Sequence, residues 1–355
     1  MPIRLPFLLL TIAGLLLGGC STLLSGPDAS PKPVRRLVFV TVTPTPTLAL
    51  SEGSRAAPVS PIPTPVPAPY FAAANELGKV MVLQYHRIAY PEQRFQRSPA
   101  NFRADLQRLY NEGYYPVNFI DLVDGLPNVP AGKRPVVITF DDSDISQFTV
   151  RDPGIIDGDS GVGILMNFHY EHPTDWPARA TFFILGNDTN DYRSIFGQPK
   201  WVKAKLHFLV EQGMEIGSHT VNHTDLSTVT AERIHWELAV SKQVLESLVS
   251  GYTVRSLAAP YGGFPFKADF LQSGEWGDLT YRYDANAAAW GGPSPSPFDP
   301  AFDPYRVPRI EVSSLWLDYW LTYFQQNPDE YYISDGDPNR ITAPTPPAIA
   351  AEQSD

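Results

Sequence analysis

Two adjacent aspartates, Asp141 and Asp142, follow an apolar, largely β-branched run, Val136-Val137-Ile138-Thr139-Phe140. Such a run predicts a buried strand, so the two carboxylates should lie at its carboxyl end. A core strand seldom ends in two like charges unless a cation or a reaction holds them there. The pair therefore indicates acid–base chemistry, metal binding or both.

Two histidines, His219 and His223, are a second set of candidate groups. They are four positions apart and could bind one ion from a single turn of backbone, although such a pair alone is also typical of ordinary surfaces and cores. With one carboxylate they would form a three-ligand site that leaves positions open for water. A metal there would lower the pKa of its water and polarise a substrate carbonyl. Because neighbouring strand residues point in different directions, the other aspartate could act as general base.

The elements that must position these groups alternate between strands and helices. Strands are predicted at residues 80–85, 136–140, 181–185, 214–218, 254–258, 279–283 and 307–312, and helices at 101–111, 161–170, 201–212, 231–248 and 315–324. About seven such units in succession predict an α/β fold, a distorted (β/α) barrel with parallel strands. In such barrels the chemistry lies at the carboxyl ends of the strands. Here those ends carry His86, the aspartates, His219 and the turn 260–263.

Three motifs are similar to those of a known family. Thr139-Phe140-Asp141-Asp142 and His219-Thr220-Val221-Asn222-His223 resemble the first two motifs of the polysaccharide deacetylases, and Ala259-Pro260-Tyr261-Gly262 resembles a variant of the third. This family is also known as the NodB-homology domain or carbohydrate esterase family 4, and the resemblance covers roughly residues 78–325. It implies that Asp141 is the base and that Asp142, His219 and His223 bind the metal. It also implies that the backbone N–H of Tyr261 helps to hold the oxyanion.

The family's usual catalytic acid, a late histidine, is missing, because no histidine follows His235. Val82-Leu83-Gln84-Tyr85-His86-Arg87 instead resembles the permuted branch of the family, typified by deacetylases of the biofilm polymer poly-N-acetylglucosamine. In that branch the histidine-bearing strand comes first in the chain. The resemblance implies that His86 protonates the leaving amine, and a structural role at the barrel rim is the alternative.

The third motif also lacks its usual arginine, since Ala258-Ala259 precede the proline. Arg309 is a candidate to supply charge near the aspartates and to contact substrate, with a surface ion pair as the plain alternative. Trp290 is a candidate apolar wall for the acetyl methyl or a sugar face, or else a core residue. The acidic segment 143–160 is either a lid or substrate-selecting loop, or a calcium site.

The ends of the chain predict export. Residues 5–17 form an apolar run after Arg4, and Leu17-Gly18-Gly19-Cys20 resembles a bacterial lipoprotein box, which implies lipidation of Cys20, the single cysteine. We expect a signal peptide at 1–19, a Pro/Thr-rich tether at 20–76, the deacetylase domain at 77–334 and a disordered tail at 335–355. The protein is therefore expected to be a membrane-anchored lipoprotein of the cell envelope. A net charge of −11 argues against nucleic acid as a partner.

On the family resemblance, the expected activity is metal-dependent hydrolysis of N-acetyl groups from an N-acetylglucosamine-containing exopolysaccharide or peptidoglycan. Zinc is the default metal, and Co²⁺, Ni²⁺ and Fe²⁺ suit the same ligands. Two alternatives stay open: an O-acetyl esterase acting on a glycan, and a catalytically silent carbohydrate-binding lipoprotein on the same scaffold. The presence of both aspartates and both histidines favours an active enzyme.

Overall fold

A parallel sheet forms the centre of the computed structural model, which describes residues 73–187 and 195–344. In these residues the strands are β1 (Met81–Tyr85), β2 (Arg87–Ile88), β3 (Gln96–Arg97), β4 (Tyr114–Val117), β5 (Arg134–Phe140), β6 (Val150–Arg151), β7 (Ile155–Ile156), β8 (Thr181–Ile184), β9 (Glu215–Ser218), β10 (Ser256–Ala258), β11 (Ser273–Trp276), β12 (Leu279–Arg282), β13 (Ala285–Ala287) and β14 (Ile310–Glu311). The helices are α1 (Pro99–Asn111), α2 (Phe119–Val123), α3 (Gly161–Glu171), α4 (Val202–Glu211), α5 (Ala231–Leu248) and α6 (Ser314–Gln326).

The sheet order is β13-β10-β9-β8-β5-β1-β14, and β4 pairs with the first half of β5. All these pairings are parallel, so the predicted α/β fold, a distorted NodB-like barrel with about seven parallel strands, is confirmed. The apolar residues of β5 have no exposed surface, as expected for a parallel strand covered on both faces. The strand prediction at 136–140 therefore holds for the element that carries the aspartates.

Strand register brings the predicted site residues to one rim of the sheet. Tyr85 of β1 pairs with Phe140 of β5, and the amide of Asp141 then donates to the Tyr85 carbonyl at 3.1 Å. On the far side of β8, Ser218 of β9 pairs with Leu257 of β10. His86, Asp141 and His219 consequently begin at the ends of nearby strands.

One predicted barrel strand is wrong. Residues 279–283 do not join the sheet, because β12 pairs antiparallel with β11 in a separate ribbon that packs against α5. The barrel strand is β13, whose Ala-Asn-Ala sequence has little β propensity and gave no signal. The strand β4 was also missed, since its Pro116 argues against a strand interior.

The predicted tail is partly packed on the domain. The amide of Glu76 donates to the Thr342 carbonyl at 2.7 Å, and the amide of Thr342 donates to the Glu76 carboxylate at 2.8 Å. Residues 335–342 therefore do not fit the expected disordered tail. Residues 1–72, including Cys20, the predicted signal peptide and nearly all of the tether, lie outside the described residues. Within the described ranges, no helix has the length and apolar character needed to cross a bilayer.

Candidate metal centre

A cleft of about 490 Å³ opens at the carboxyl ends of the parallel strands. Its lining contains the predicted catalytic and ligand residues His86, Asp141, Asp142, His219, His223 and Tyr261, together with Trp290. The structure thus brings into one cavity groups that are widely separated in the sequence. Arg309 lies fully buried against Asp141 and adds no surface to the cleft.

Asp142, His219 and His223 converge on a common point. Oδ1 of Asp142 lies 3.3 Å from Nε2 of His219 and 3.1 Å from Nε2 of His223. In the described part of the chain these three residues form the single group of acidic, histidine or cysteine side chains arranged to share a metal, with ligand atoms within 4.8 Å of one another. Oδ1 is buried, yet it forms no hydrogen bond of acceptable geometry with either ring.

The tautomer of His219 leaves room for a cation between these atoms. Its Nδ1 lies 2.7 Å from the carbonyl oxygen of Ala258, which can only accept, so Nδ1 carries the proton. In the neutral ring, Nε2 then directs a lone pair toward Asp142 Oδ1, and two lone pairs facing each other repel. Metal-binding histidines are commonly oriented by a hydrogen bond from the other ring nitrogen to such a carbonyl.

The pKa shifts in this group follow from the charges that face one another. Burial would raise the pKa of Asp142, but the two imidazoles facing it bring that pKa below its usual value. Burial would lower the pKa of His219, but Asp142 and Asp141 raise it. Two imidazoles and one carboxylate with open positions fit Zn²⁺ and also suit Co²⁺, Ni²⁺ or Fe²⁺.

Strained backbone is concentrated around these groups. Of the eight non-glycine residues with positive φ in the described chain, five belong to the loops of the site: Asp142 (76°), Ser143 (49°), Thr220 (65°), His223 (55°) and Tyr261 (57°). Each such residue costs about 1 kcal/mol or more, and strain of this kind clusters at functional sites. The local fold therefore holds the loops in conformations that an unconstrained chain would avoid.

Asp141 is fixed by a buried ion pair. Nη1 and Nη2 of Arg309 donate to its two carboxylate oxygens at 2.7 and 2.8 Å, and Gln84 Nε2 adds a third hydrogen bond at 2.8 Å. Burial would raise the pKa of Asp141, but Arg309 holds it well below the usual range, so the group stays ionised. Arg309 has no exposed side-chain surface and also donates through Nε to the Ala288 carbonyl, so its placement does not fit the expected contact with substrate.

His86 faces the same cleft from the end of β1. Its ring lies 4.6 Å from that of Phe95, and its Nδ1 is buried without a hydrogen-bond partner. Gln147 holds the backbone by donating to the His86 carbonyl at 2.8 Å. Burial lowers the pKa of His86, although Asp141 and Asp142 partly oppose that effect. The resting ring is accordingly neutral near pH 7.

Tyr261 and Trp290 form exposed parts of the cleft wall. The ring of Tyr261 packs edge-on against His223 at 4.5 Å. Trp290 is 66% exposed, and a Cβ added to Gly262 would lie 3.0 Å from its ring. Trp290 is thus a surface residue of the cleft, placed where a sugar or acetyl group could contact it, and the core alternative does not fit this exposure.

Glu237 on α5 is a site residue that the sequence analysis missed. Its carboxylate is fully buried and accepts from the amides of Val221 and Asn222 at 2.8 and 3.0 Å, and from the Thr224 hydroxyl. Arg233, one turn earlier, balances its charge. Glu237 therefore holds the loop that carries His223. The sequence does contain a sign of this role: Glu237 is an acidic residue on the apolar face of the predicted helix, three positions after Ile234.

The acidic segment 143–160 does not cover the cleft. None of its residues lines the cavity, and its middle forms the small β6–β7 hairpin. Its acids contact arginines: Asp144 with Arg87, Asp157 with Arg151 and Asp159 with Arg103. These separate pairs do not favour either a lid or a calcium site.

Comparison with known proteins agrees with the motifs. Residues 175–275 match the family model for polysaccharide deacetylases, a segment that contains His219, His223 and Tyr261 but begins after the aspartates. The chain is related to the polysaccharide deacetylases. A peptidoglycan-N-acetylglucosamine deacetylase of Bacillus cereus is 24% identical over 164 residues, which cover 46% of this chain and 50% of that protein. This chain spans about half the length of the curated relatives it matches first.

Two solved structures share the fold. The Streptococcus pyogenes deacetylase PplD, solved in complex with acetate, aligns with a TM-score of 0.51 and 20% identity over 69% of this chain and 97% of that one. IcaB from Ammonifex degensii aligns with a TM-score of 0.50 and 20% identity over 70% and 97% of the two chains. At this identity the likeness supports the fold alone.

Proposed function

We propose that this polysaccharide deacetylase relative removes N-acetyl groups from an N-acetylglucosamine-containing polysaccharide, either an exopolysaccharide or peptidoglycan, and releases acetate. The observation that carries the proposal is the convergence of Asp142, His219 and His223 beside a separately held, ionised Asp141 in one open cleft. The name of the Bacillus cereus relative, a peptidoglycan-N-acetylglucosamine deacetylase, supports the substrate class.

Asp142, His219 and His223 would hold the metal, Zn²⁺ by default. When bound there, a divalent cation would supply Lewis acidity toward a water molecule and toward the acetyl carbonyl. The surrounding residues keep the three ligands ready for it. The Ala258 carbonyl orients His219, and Glu237 fixes the backbone of the loop that carries His223.

Asp141 is proposed as the general base. Arg309 and Gln84 hold its carboxylate in one orientation and keep it ionised, so it can accept the proton of an attacking water. The new C–O bond converts the acetyl carbon to a tetrahedral centre with a negative oxygen. The backbone N–H of Tyr261, set by its left-handed φ, is proposed to donate to that oxygen.

His86 is proposed to complete the reaction by protonating the sugar amine as the C–N bond breaks and acetate leaves. Because burial lowers the pKa of His86, its protonated form would be a stronger acid than an ordinary imidazolium. The same burial keeps the resting ring neutral, so the proton that His86 delivers would be the one that Asp141 takes from the attacking water. This feature favours a second candidate function, O-acetyl ester hydrolysis, since an ester oxygen leaves more easily and needs the acid less.

We also propose that the chain acts outside the cytoplasm as a lipoprotein anchored through Cys20. This part of the proposal is supported by the apolar run at 5–17, the lipoprotein-box sequence before Cys20 and the Pro/Thr-rich segment that follows. A tether of that composition would let a membrane-bound enzyme reach a polymer of the envelope. Labelling with a radioactive fatty acid in a bacterial host would test it, with Cys20→Ser as the variant expected to lose the label.

The test of the proposed activity is acetate release from chitin oligomers, poly-N-acetylglucosamine, peptidoglycan and acetylated xylan. Wild type should release acetate from at least one N-acetylated glycan, and Asp141→Asn should keep its metal but lose this release. Asp144→Asn, a nearby acid outside the cleft, is the matched control. Release from xylan alone would assign the esterase function. Equal release by wild type and Asp141→Asn would reject the proposal, and metal binding without any hydrolysis would favour the silent carbohydrate-binding alternative.

A further inference from the structure

Four aromatic side chains cluster on the outer side of α6. Trp316 lies 6.1 Å from Tyr319, Tyr319 lies 5.0 Å from Trp320, and Trp320 lies 5.6 Å from Tyr323, as measured between ring centroids. The adjacent side of the helix packs into the core through Leu317, Leu321 and Phe324. Trp316 and Tyr319 are each 50% exposed, and core packing does not explain them. Trp320 and Tyr323 are half-buried against the core and form the inner edge of the same cluster. We refer to Trp316, Tyr319, Trp320 and Tyr323 as the α6 aromatic face.

The α6 aromatic face begins where the wall of the cleft ends. Glu311, at the end of β14, lines the cleft, and α6 starts three positions later with Ser313 as its cap. Arg97 of β3, which directly follows the cleft residue Gln96, donates to the Ser314 hydroxyl at 2.7 Å. The turn that contains Gly292 also packs against the α6 aromatic face. A Cβ added to Gly292 would lie only 3.1 Å from the Trp320 ring.

The chemistry of α6 favours a sugar polymer over a lipid surface. Aromatic rings stack on the C–H faces of pyranose rings, and a rise of about 1.5 Å per residue separates Trp316 from Tyr323 by about 10 Å along the helix. Residues 314–326 contain no lysine or arginine, and their single charge, Asp318, pairs with Arg108. Helices that bind anionic lipid headgroups usually carry basic residues on their polar side. The chain's net charge of −11 disfavours such membranes further.

We propose that the α6 aromatic face is an accessory glycan-binding surface that holds sugars of the same polymer whose N-acetylated residue lies in the cleft. The inference rests on the proposed function for the identity of the glycan. It implies that long chains bind more tightly than short ones, because only a long chain can reach both the cleft and α6. The face would thus select polymers over small oligosaccharides.

The test is a Trp316→Ala/Tyr319→Ala double variant, compared with Tyr170→Ala, an exposed tyrosine on α3. Binding to a chitin hexasaccharide, a chitin disaccharide and insoluble peptidoglycan is measured by calorimetry or sedimentation, together with acetate release. Loss of two stacked rings should weaken binding of the polymer or hexasaccharide about tenfold. The same change should raise KM for that substrate with little change in kcat, and disaccharide binding should stay the same.

Binding is scored separately from acetate release, so the two proposals fail independently. Polymer binding that the double variant loses, in a wild type that hydrolyses no glycan, would support the surface and reject the proposed activity. Equal polymer binding by wild type and double variant, or no polymer binding by wild type, would overturn the surface. Loss of phosphatidylglycerol vesicle binding or of dimers, with polymer affinity unchanged, would assign the face to a membrane or to a second copy and would also overturn it.

Discussion

Asp141 and Asp142 are neighbours in the chain, yet each has its own source of compensating charge. Asp141 is buried against the guanidinium of Arg309, whereas Asp142 faces two imidazoles and keeps about 40% of its side chain exposed. Adjacent buried carboxylates would otherwise repel and raise each other's pKa. The different partners distinguish the two aspartates, in keeping with the proposed roles of Asp141 as base and Asp142 as ligand.

Replacing Arg309 should disable Asp141 without removing the metal ligands. In Arg309→Met the carboxylate would be left buried and unpaired, which should lower the free energy of unfolding by about 3–5 kcal/mol. Acetate release should fall by about 100-fold or more, because the base loses its orientation. Arg309→Lys restores charge but not the paired hydrogen bonds, so it should recover only part of the activity. Arg87→Met, an exposed arginine on the cleft, is the control, and an Arg309→Met enzyme with full activity would contradict this role.

The proposed acid, His86, can be tested by comparing two leaving groups. His86→Gln should reduce release of acetate from an N-acetyl sugar by about 100-fold or more, since general acid catalysis typically contributes that much. Release from an O-acetyl ester should fall much less, because an alkoxide leaves more readily than an amide nitrogen. His207→Gln on α4 is the control, as His207 does not line the cleft. An equal loss on both substrates would indicate a structural role for His86.

The sequence predicted the position of a site residue correctly where that residue directly follows a strand. His86, Asp141 and His219 were predicted to meet because parallel strands align their carboxyl ends. The bond between Arg309 and Asp141 could only be suggested, since the two residues are 168 positions apart and β14 is two residues long. Their pairing depends on the register of β14 against β1, which no local pattern specifies.

At the scale of elements, α5 supports the metal centre from outside the sheet. Its apolar face packs on the domain through Ile234, Leu238 and Leu245, and Glu237 on that same side reaches the loop after β9. A buried carboxylate that accepts from two loop amides and one arginine leaves the backbone little freedom. Because α5 is fixed by core packing, Glu237 also fixes the position of the loop that carries His223.

Glu237→Gln should therefore weaken metal binding although residue 237 is not a ligand. Loss of the charge would loosen the hydrogen bonds to the amides of Val221 and Asn222, and outer residues of this kind change metal affinity by about 10- to 100-fold. The dissociation constant for Zn²⁺ or Co²⁺, measured by competition with a coloured chelator, should rise by that factor. Glu232→Gln, an exposed acid on the same helix, should leave it unchanged. Unaltered affinity in Glu237→Gln would reject the supporting role.

The elements that the sequence predicted correctly are those with strong periodicity. Helix α5 and its cap Thr230 match the prediction, because apolar spacing and a capping residue agree there. The error at β12 and β13 has a clear cause. Strand β12 alternates exposed and more buried residues and so has the pattern of a half-buried strand, whereas the true barrel strand is three small or polar residues long.

At the scale of the whole molecule, the pH dependence of stability should carry the signature of a buried lysine. Lys205 on α4 has no exposed surface, and its Nζ donates to the Phe196 carbonyl at 3.0 Å beside the rings of Phe148 and Phe196. Burial lowers the pKa of Lys205 to about 7 from its ordinary 10.5. Between these values the unfolded chain binds a proton that the folded chain does not.

The free energy of unfolding should therefore rise as the pH increases from about 7 to about 9, by about 2 kcal/mol if Lys205 acts alone. Guanidinium unfolding at several pH values measures this rise. Lys205→Met should flatten it, whereas Lys203→Met on the exposed side of α4 should not. Above pH 10 the raised pKa values of buried tyrosines such as Tyr283 oppose the trend, so the window stops below that point. A wild type whose stability does not change from pH 7 to 9 would contradict the placement of Lys205.

Most of the predicted organisation of the N-terminal region lies outside the part of the chain that the structure describes. The signal peptide, Cys20 and most of the tether stay predictions, because they lie outside the described residues. Two residues before the predicted domain boundary at residue 77, Asn75 pairs with Ile333. The sequence alone could not indicate this pairing, because the contacts that hold residues 75 and 76 come from the opposite end of the chain.

The most direct test is a metal titration of chelator-treated protein followed in parallel by cobalt absorption and by acetate release. We expect one equivalent of Co²⁺ or Zn²⁺ per chain to restore activity, and His219→Ala and His223→Ala to lose both binding and activity. His169→Ala, a histidine hydrogen-bonded outside the cleft, should behave as wild type. Full acetate release after exhaustive chelation, or saturable binding that survives in His219→Ala/His223→Ala, would contradict the account.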